Sequence, residues 1–527
     1  MSPFRKISTF PFYPLLLAAF PVLAMWVNNI SQVESNALWR PLLVSVIAAA
    51  LFGCVCRLCT RSWSAAGLIT GVWLVLFFSY GHIYNLLAEH PLAGVNLGRH
   101  RYLLPVAGLL ALAAVWFFRS VKGVLVNRLV NVIGIVLVFF PLARAAGYAL
   151  ESQRHLARGT EPIPSGVELD AAKRPDVYYI ILDMYTRADA LAGDYGWDNS
   201  AFINSLEEMG FYVAGCSRSN YAQTELSLAS SLNMEYIQNF GEEFSPDLAG
   251  SSAVRDYLHH SRVRSELEAL GYSMIAFSSG YSSTHFEDAD QFLSSPVSFW
   301  DFKHLMPFEA MLVDTTIIST GVDYLSRWMD VQGLEDYVIR QRFILDTLPQ
   351  LARQPGPKFV LAHIIIPHEP FMFLPDGGVN PDRNYYGKDG KPVDEKAYRL
   401  GYLNQVQYIN SVIPKILQQI LAESEQEPVI LLQGDHGVTG RNRLEVLNAY
   451  RIPGGEEGLY PSISPVNSFR VVFNRIWDTD LPLLPDRSYY STYELPFQFT
   501  EVDEIRAGCL IAQEIEDCQK SCIGLKK

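Results

Sequence analysis

The sequence predicts two parts: an α-helical membrane domain of five transmembrane helices, followed by an α/β domain with a mostly parallel sheet. Three observations carry this. Composition changes sharply near residue 150 of the 527-residue chain, from successive apolar stretches to an ordinary mixture. Beyond that point strand patterns alternate with helix patterns, as they do where helices cover both faces of a parallel sheet. The segment Pro428–Gly437 (Pro-Val-Ile-Leu-Leu-Gln-Gly-Asp-His-Gly) is apolar on both faces and stops abruptly at Gly434-Asp435-His436-Gly437. That is the pattern of a buried parallel strand, ending where open α/β sheets place their ligands.

The first part contains the apolar stretches Pro11–Val27, Pro41–Cys56, Ala65–Leu87, Tyr102–Phe118 and Val124–Ala146. Each is at or near the length a helix needs to cross the hydrocarbon core. Five in succession argue against buried helices of a soluble protein. Pro11–Val27 lacks a small-residue cleavage site and four more spans follow, so it is expected to be retained rather than removed as a signal peptide. Arg5 and Lys6 precede the first span. Arg57 and Arg61 lie between the second and third, and Arg119, Lys122 and Arg128 lie around the turn between the fourth and fifth. These share one side, and the positive-inside bias puts that side, with the amino terminus, in the cytoplasm. Arg40, Arg99 and Arg101 count weakly the other way. Five spans then place everything after Ala146 outside, in a multi-pass protein of the cell (inner) membrane.

The net charge of −13 argues against nucleic acid as a partner. Of seven cysteines, Cys54, Cys56 and Cys59 fall in or beside the second span and are expected to be packing residues. Cys216, Cys509, Cys518 and Cys522 fall outside, where one or two disulfides are expected and their pairing stays open.

Residues 1–150 are thus the transmembrane domain, 151–174 a polar linker and 175–527 the extracytoplasmic domain. Within the last, Asp176–Leu182 reads as a strand ending in Asp183. Asn199–Gly210 reads as a helix closing on glycine, and Thr224–Leu232 as a helix beginning at threonine. Val254–Leu270 has helical periodicity, and Tyr272–Phe277 is a strand. Leu334–Arg353 is helical, Lys358–Ile366 is an apolar strand, and Leu400–Glu423 is a long amphipathic helix leading into the strand before Asp435. Phe286–Met329 is aromatic-rich and poorly periodic; it reads as an insertion that either caps a site or faces the membrane.

Three strands therefore end in polar groups: Asp183, His363 with His368, and Asp435 with His436. Two carboxylates and a histidine on one sheet edge suit zinc or manganese. Ser217–Ser227 supplies hydroxyls. Thr224 is the best placed, because a helix start and a metal both favour its alkoxide. Each residue has an ordinary alternative. A strand-end Asp is commonly a turn residue, Thr224 could be a helix cap, and His363 could be structural. Arg218, Asn220 and Arg470 could bind phosphate oxygens, with surface charge as the default.

The order Tyr-Tyr-Ile-Ile-Leu-Asp183, Thr224, Pro367-His368-Glu-Pro370 and Gly434-Asp435-His436-Gly437 resembles the sulfatase-like branch of the alkaline phosphatase superfamily. With the preceding spans it is similar to membrane-anchored phosphoglycerol and phosphoethanolamine transferases of the lipoteichoic acid synthase kind. The resemblance implies an alkaline-phosphatase-like fold for the α/β domain. It makes Asp183, Thr224, Asp435 and His436 ligands of one divalent ion, zinc or manganese, and Thr224 also the nucleophile. It makes His368 the residue that contacts the transferring group or protonates the leaving group. It implies a membrane phospholipid donor, an envelope glycan or glycolipid acceptor, and a phospho-threonine intermediate. Cys216-Ser-Arg-Ser lacks the proline and arginine spacing of sulfatase maturation. Ile364-Ile-Ile-Pro367 lacks the acidic residue of a two-metal phosphatase. A sulfatase-like phosphodiesterase or sulfuric ester hydrolase is the enzymatic alternative, and a non-catalytic envelope scaffold is the other.

Overall fold

The computed structural model describes residues 10–30, 33, 35–90, 96–119, 124–157, 174–241, 244, 252–295, 305–321, 334–380, 394–438, 443–503 and 509. The chain divides into two compact units, residues 1–154 with 297–336, and 155–296 with 337–527.

The first unit is helical. Its elements are α1 (Tyr13–Asn28), α2 (Trp39–Thr60), α3 (Trp63–Glu89), α4 (His100–Phe118) and α5 (Val124–Ala157). By length and composition, four of these, α2 to α5, are apolar and long enough to cross a membrane. The first expected span forms only the 16-residue α1, about 24 Å at 1.5 Å per residue against a core of roughly 30 Å. Its start is fixed by Asn131 of α5, whose Oδ1 accepts from Tyr13 N (2.9 Å) and whose Nδ2 donates to Phe10 O (2.8 Å). Helix α5 continues to Ala157, into the expected linker; residues 158–173 lie outside the described residues.

The Phe286–Met329 insertion is described only in part. Most of it, with the residues that follow to 336, groups with the helical unit as residues 297–336. Their helix α11 (Pro307–Thr315) packs Phe308 and Leu312 against Val22, Leu23 and Phe78. Gly81 of α3 sits so close that a Cβ there would lie 2.1 Å from Asp314 O. Arg40 Nε donates to Glu309 Oε1 at 2.5 Å, and both side chains are buried.

In the second unit the strands are β1 (Val177–Leu182), β2 (Tyr212–Val213), β3 (Ser273–Phe277), β4 (Gln291–Leu293), β5 (Lys358–Ile364), β6 (Val429–Gly434) and β7 (Asn448–Arg451). They form one sheet in the order β2-β7-β6-β1-β5-β3-β4. The pairings β6-β1, β1-β5, β5-β3 and β3-β4 are parallel, whereas β7 pairs antiparallel with β6 and β2. The sheet is mostly parallel, as expected; β7, the one strand that runs against the others, and β2 beside it are short and carry too little periodicity to stand out in sequence. A small hairpin, β8 (Tyr489–Tyr490) and β9 (Thr500–Glu501), lies apart.

The helices of this unit are α6 (Ala188–Tyr195), α7 (Ser200–Glu208), α8 (Thr224–Asn233), α9 (Ser252–His259), α10 (Arg262–Ala269), α12 (Leu334–Thr347), α13 (Glu395–Glu423) and α14 (Pro465–Trp477). Tyr179 and Ile181 of β1 meet Leu228 and Leu232 of α8 and Phe469 of α14 in one core. The single helix expected over Val254–Leu270 is two. Ser261 caps the second, accepting from Arg264 N through its hydroxyl, and this competing bond breaks a pattern whose apolar spacing runs straight through. Cys216 and Cys509 form a disulfide; Cys518 and Cys522 lie outside the described residues. Cys54, Cys56 and Cys59 are free.

The register decides where the strand ends fall. Leu182 is opposite both Ile364 and Gly434, so three neighbouring strands stop level. The chain then turns over β6: a Cβ on Gly434 would lie 2.3 Å from Tyr185 O. Gly434→Ala must push that backbone away and should cost roughly 1–3 kcal/mol, the usual cost of overpacking. Thermal unfolding of the purified protein checks it; an unchanged midpoint would show that the turn gives way freely.

Candidate metal centre

Because β1, β5 and β6 end together, the next residues share one edge. Asp183 follows β1, Asp435 and His436 follow β6, and His363 stands in the last turn of the pleat of β5, with His368 just beyond. Asp183, Asp435, His363 and His436 are each at most 3% exposed; His368 is half-buried. Their acceptor atoms converge in two overlapping sets, Asp183–His368–His436 and Asp183–His363–Asp435, each within 4.8 Å. His363 Nε2 is 3.3 Å from Asp183 Oδ2. His436 Nε2 is 3.6 Å from Asp183 Oδ1 and 3.7 Å from Asp435 Oδ2.

These separations are long for hydrogen bonds and close to the edge of a coordination tetrahedron, roughly 3.3–3.4 Å for ligands 2.0–2.1 Å from zinc. Asp183 Oδ1, Asp435 Oδ2 and His363 Nε2 have no hydrogen-bond partner among the described residues. Buried acceptors left that way are costly, and a shared cation would satisfy all three. The imidazoles are oriented for it. Nδ1–H of His436 donates to Gly437 O (2.8 Å) and Nδ1–H of His368 to Glu369 O (2.7 Å). In the neutral ring this leaves each Nε2 an acceptor within reach of the carboxylates; that of His436 is also met by Arg443 Nη2 at 2.9 Å. Thr284 Oγ1 braces Nδ1 of His363 at 2.8 Å. Asp435 Oδ1 accepts from Met184 N at 3.0 Å, which fixes the carboxylate and aims Oδ2 inward. The donor set of carboxylates and imidazoles fits zinc or manganese.

The electrostatics agree. Burial raises the Asp183 carboxyl, but the imidazoles of His368, His363 and His436 outweigh it and hold the group below the usual carboxylate range. Burial lowers His436, with Asp435 opposing and Arg443 adding to the effect, so its ring stays neutral at lower pH than an ordinary histidine. Burial and the nearby carboxylates Glu225, Asp183 and Asp435 push the Tyr281 hydroxyl well up, leaving it protonated.

Thr224 is the first residue of α8 and is buried. The helix cap is Gln223, without a side-chain capping bond, so the capping role does not explain this threonine. The loop before it is fastened to the strand end: Ser219 Oγ donates to Asp435 O (2.7 Å), and Arg443 Nε donates to Ala222 O (2.5 Å). Ser227 of the same helix is fully buried, and its hydroxyl is shared with Ser219 at 2.9 Å.

Arg443 is the residue that sequence reasoning missed. Its Nη2 points at His436 Nε2 (2.9 Å) and at Tyr493 Oη (2.8 Å). It follows His436 by seven residues in a loop, with no periodicity to mark it. His363, offered as structural or ligating, has its Nε2 in the cluster. The three phosphate candidates have other partners. Arg470 donates to Met234 O and Pro482 O, Arg218 to Val502 O, and Asn220 accepts from Val466 N at the start of α14. Asn220 and Arg470 are also buried, which corrects the expectation of surface polarity.

No family model and no curated protein matches the chain. Solved structures do. The C-terminal periplasmic domain of EptC from Escherichia coli, in complex with zinc, aligns at 12% identity and a TM-score of 0.43 over 66% of this chain and 98% of that one. The integral membrane lipooligosaccharide phosphoethanolamine transferase A from Neisseria meningitidis aligns at 11% and 0.36, over 88% and 95%. Phosphonate monoester hydrolase of Agrobacterium radiobacter aligns at 16% and 0.37, over 60% and 80%. Phosphoethanolamine transferases and sulfatase-like enzymes are the kinds of protein that the motifs resemble.

Proton competition gives a test of the cluster. With Asp183 depressed and His436 lowered, these two donors stay in their ligand form through neutral pH. Bound zinc or manganese should therefore be retained until the pH falls below the ordinary histidine value of about 6.5. Asp435→Asn and His436→Ala should each abolish retention. Metal content after dialysis at graded pH measures this; release already near pH 7.5 would show that the His436 ring is not held neutral.

Proposed function

We propose that this chain is a metal-dependent phosphotransferase of the sulfatase-like kind. It would move a phospho-head group, phosphoglycerol or phosphoethanolamine, from a membrane phospholipid to an envelope glycan or glycolipid through phospho-Thr224. The observation that carries the reading is the buried cluster of carboxylate and imidazole acceptors, three of them without a hydrogen-bond partner among the described residues, with a helix-initial threonine on the loop fastened to it. Asp183, Asp435, His436 and Thr224 would hold one divalent ion, with His363 and His368 close by. When bound, such an ion supplies charge neutralisation for a phosphate oxygen and favours the Thr224 alkoxide.

The rest is work for the chain. The start of α8 offers free amides and a positive dipole end to the incoming phosphate. Thr224 Oγ1 forms a bond to phosphorus as the bond to the diacylglycerol oxygen breaks. His368, half-buried and reachable, takes the Thr224 proton at Nε2 and gives it to that oxygen. The acceptor hydroxyl then gives its proton to His368 as it attacks phosphorus, and His368 passes that proton to Thr224 Oγ1 as the Thr224–phosphorus bond breaks. Arg443, whose Nη2 stands 2.9 Å from His436 Nε2, can pair with the transferred phosphate. Tyr281, kept protonated, can donate.

The proposed domains are a transmembrane part, residues 1–150, and an extracytoplasmic catalytic part, 175–527. A lipid donor gives the membrane part its purpose, because such a donor does not leave the bilayer. The buried pairing of Arg40 with Glu309 removes one of the three charges that opposed this orientation, since a paired internal arginine is not a loop charge in the sense of the positive-inside rule.

Thr224→Ala should lower turnover by about 10³-fold or more, the scale of losing a nucleophile. The stability loss should stay under about 1 kcal/mol, because Thr224 is not the cap. Thr224→Ser should keep part of the activity, and Ser227→Ala, whose hydroxyl is already engaged, most of it. Head-group release from labelled lipid, with and without glycan acceptor, is the assay. Full activity in Thr224→Ala would remove the proposed intermediate, and release that never depends on acceptor would make the enzyme a hydrolase.

A further inference from the structure

The helical unit contains a cleft that the chemistry above does not use. It encloses about 480 Å³ between α1, α3 and α5. Leu17, Phe20 and Ala24 line it at helical spacing on α1, as Phe78 does on α3 and Leu137 on α5. Each stripe then turns polar. On α1 the next position in line is Asn28, on α3 it is His82, and Thr315 of α11 lines the same cleft. Two turns past Leu137, Arg144 donates to Asn28 Oδ1 at 2.5 Å, so a guanidinium stands at the Asn28 level.

That level is meaningful. His82 and Arg144 each lie 19 residues past the first residue of their spans, Trp63 and Leu125. At 1.5 Å per residue this is about 29 Å, the thickness of the hydrocarbon core. The apolar part therefore runs through acyl-chain depth, and the polar mouth sits where head groups begin. At that level a guanidinium can pair with an anionic head group. A phosphate is the anion available at that depth.

We propose that this cleft holds one acyl chain of a membrane glycerophospholipid, with its phosphate at Arg144, Asn28 and His82. The apolar stripe accepts the chain, and the guanidinium pairs with the phosphate. The inference rests on the lipid-donor reading and adds where the donor is held. In the proposed orientation the mouth opens in the outer leaflet, at the end of α5 from which the chain continues to β1.

The test uses the full chain in vesicles of phosphatidylethanolamine and phosphatidylglycerol, each in turn carrying a diazirine in one acyl chain. After illumination, peptide mapping should find the label concentrated on Leu17–Ala24, Phe78 and Leu137. Ala24→Trp and Leu137→Trp, which fill the cleft from two sides, should each lose that label. They should also raise KM for the lipid donor about tenfold, as a loss of about 1.4 kcal/mol in binding would. Arg144→Gln should do the same. Metal-dependent cleavage of soluble bis(4-nitrophenyl) phosphate should be unchanged, which also shows that the variants fold. Leu110→Trp, on the exposed face of α4, should change nothing. Label spread evenly over exposed helix positions, or label and KM unaltered in both tryptophan variants, overturns the proposal. Cleft labelling without head-group transfer from any lipid would leave the cleft in place and remove the lipid-donor reading instead.

Discussion

Two carboxylates buried side by side set the terms for the rest of the α/β unit. Taking one ion out of water costs several kcal/mol even after relaxation, and Asp183 and Asp435 are both almost fully enclosed. The chain surrounds them with imidazoles rather than with a lysine or a second arginine. Neutral imidazoles cannot neutralise two negative charges; they can share a cation with them. The register of three neighbouring strands makes the arrangement possible, because Leu182, Ile364 and Gly434 stop level. Strands some 4.8 Å apart then deliver their next side chains to one place. A slip of one residue in either pairing would turn a ligand to the wrong face.

Much nearby structure serves that edge. Gly434 lets the Met184–Tyr185 turn pass over β6, and Met184 N in turn orients Asp435. Arg187 packs across the same turn, donating to Ser217 O at 2.8 Å and pairing with Asp189 and Glu445. The Cys216–Cys509 disulfide pins the loop that leads to Thr224. That loop is held at its start by the disulfide, in its middle by Ser219 on Asp435 O, and at its end by Arg443 on Ala222 O. A nucleophile proposed at Thr224 thus stands at the end of a segment with little freedom, which is what positioning catalysis needs.

The parts that sequence made legible are those with a local signature. Asp183 and Asp435 each close a run apolar on both faces, so both strands and their ends could be placed to within a residue. Thr224 could be placed because a helical pattern begins there. What stayed hidden depends on contacts between distant segments. Nothing around Arg443 marks it, because its meaning comes from Ala222, His436 and Tyr493 meeting in space. His363 looked like a core residue because its neighbours are core residues; only the β1–β5 register sets its ring against Asp183. Ser261 broke a helix whose apolar spacing had no gap. Asn220 and Arg470 looked like surface polarity because sequence does not show that a buried amide can cap α14 or that a buried guanidinium can collect carbonyls.

The helical unit follows the same logic with weaker signals. In an apolar bundle, position is set by the few polar groups that must find partners. Asn131 meets the exposed amides at the start of α1, and Arg40 meets Glu309 of α11. Removing either partner of that buried ion pair leaves a charge without compensation, a loss far larger than the worth of the pair itself. Glu309 cannot leave without stranding Arg40, and Gly81 allows α11 to approach α3 more closely than any larger residue would. The segment 297–336 is thus tied to the helices by charge and by shape, although it is inserted between β4 and α12, two elements of the other unit. The chain therefore passes between the units at three places in sequence, near residues 154, 296 and 336.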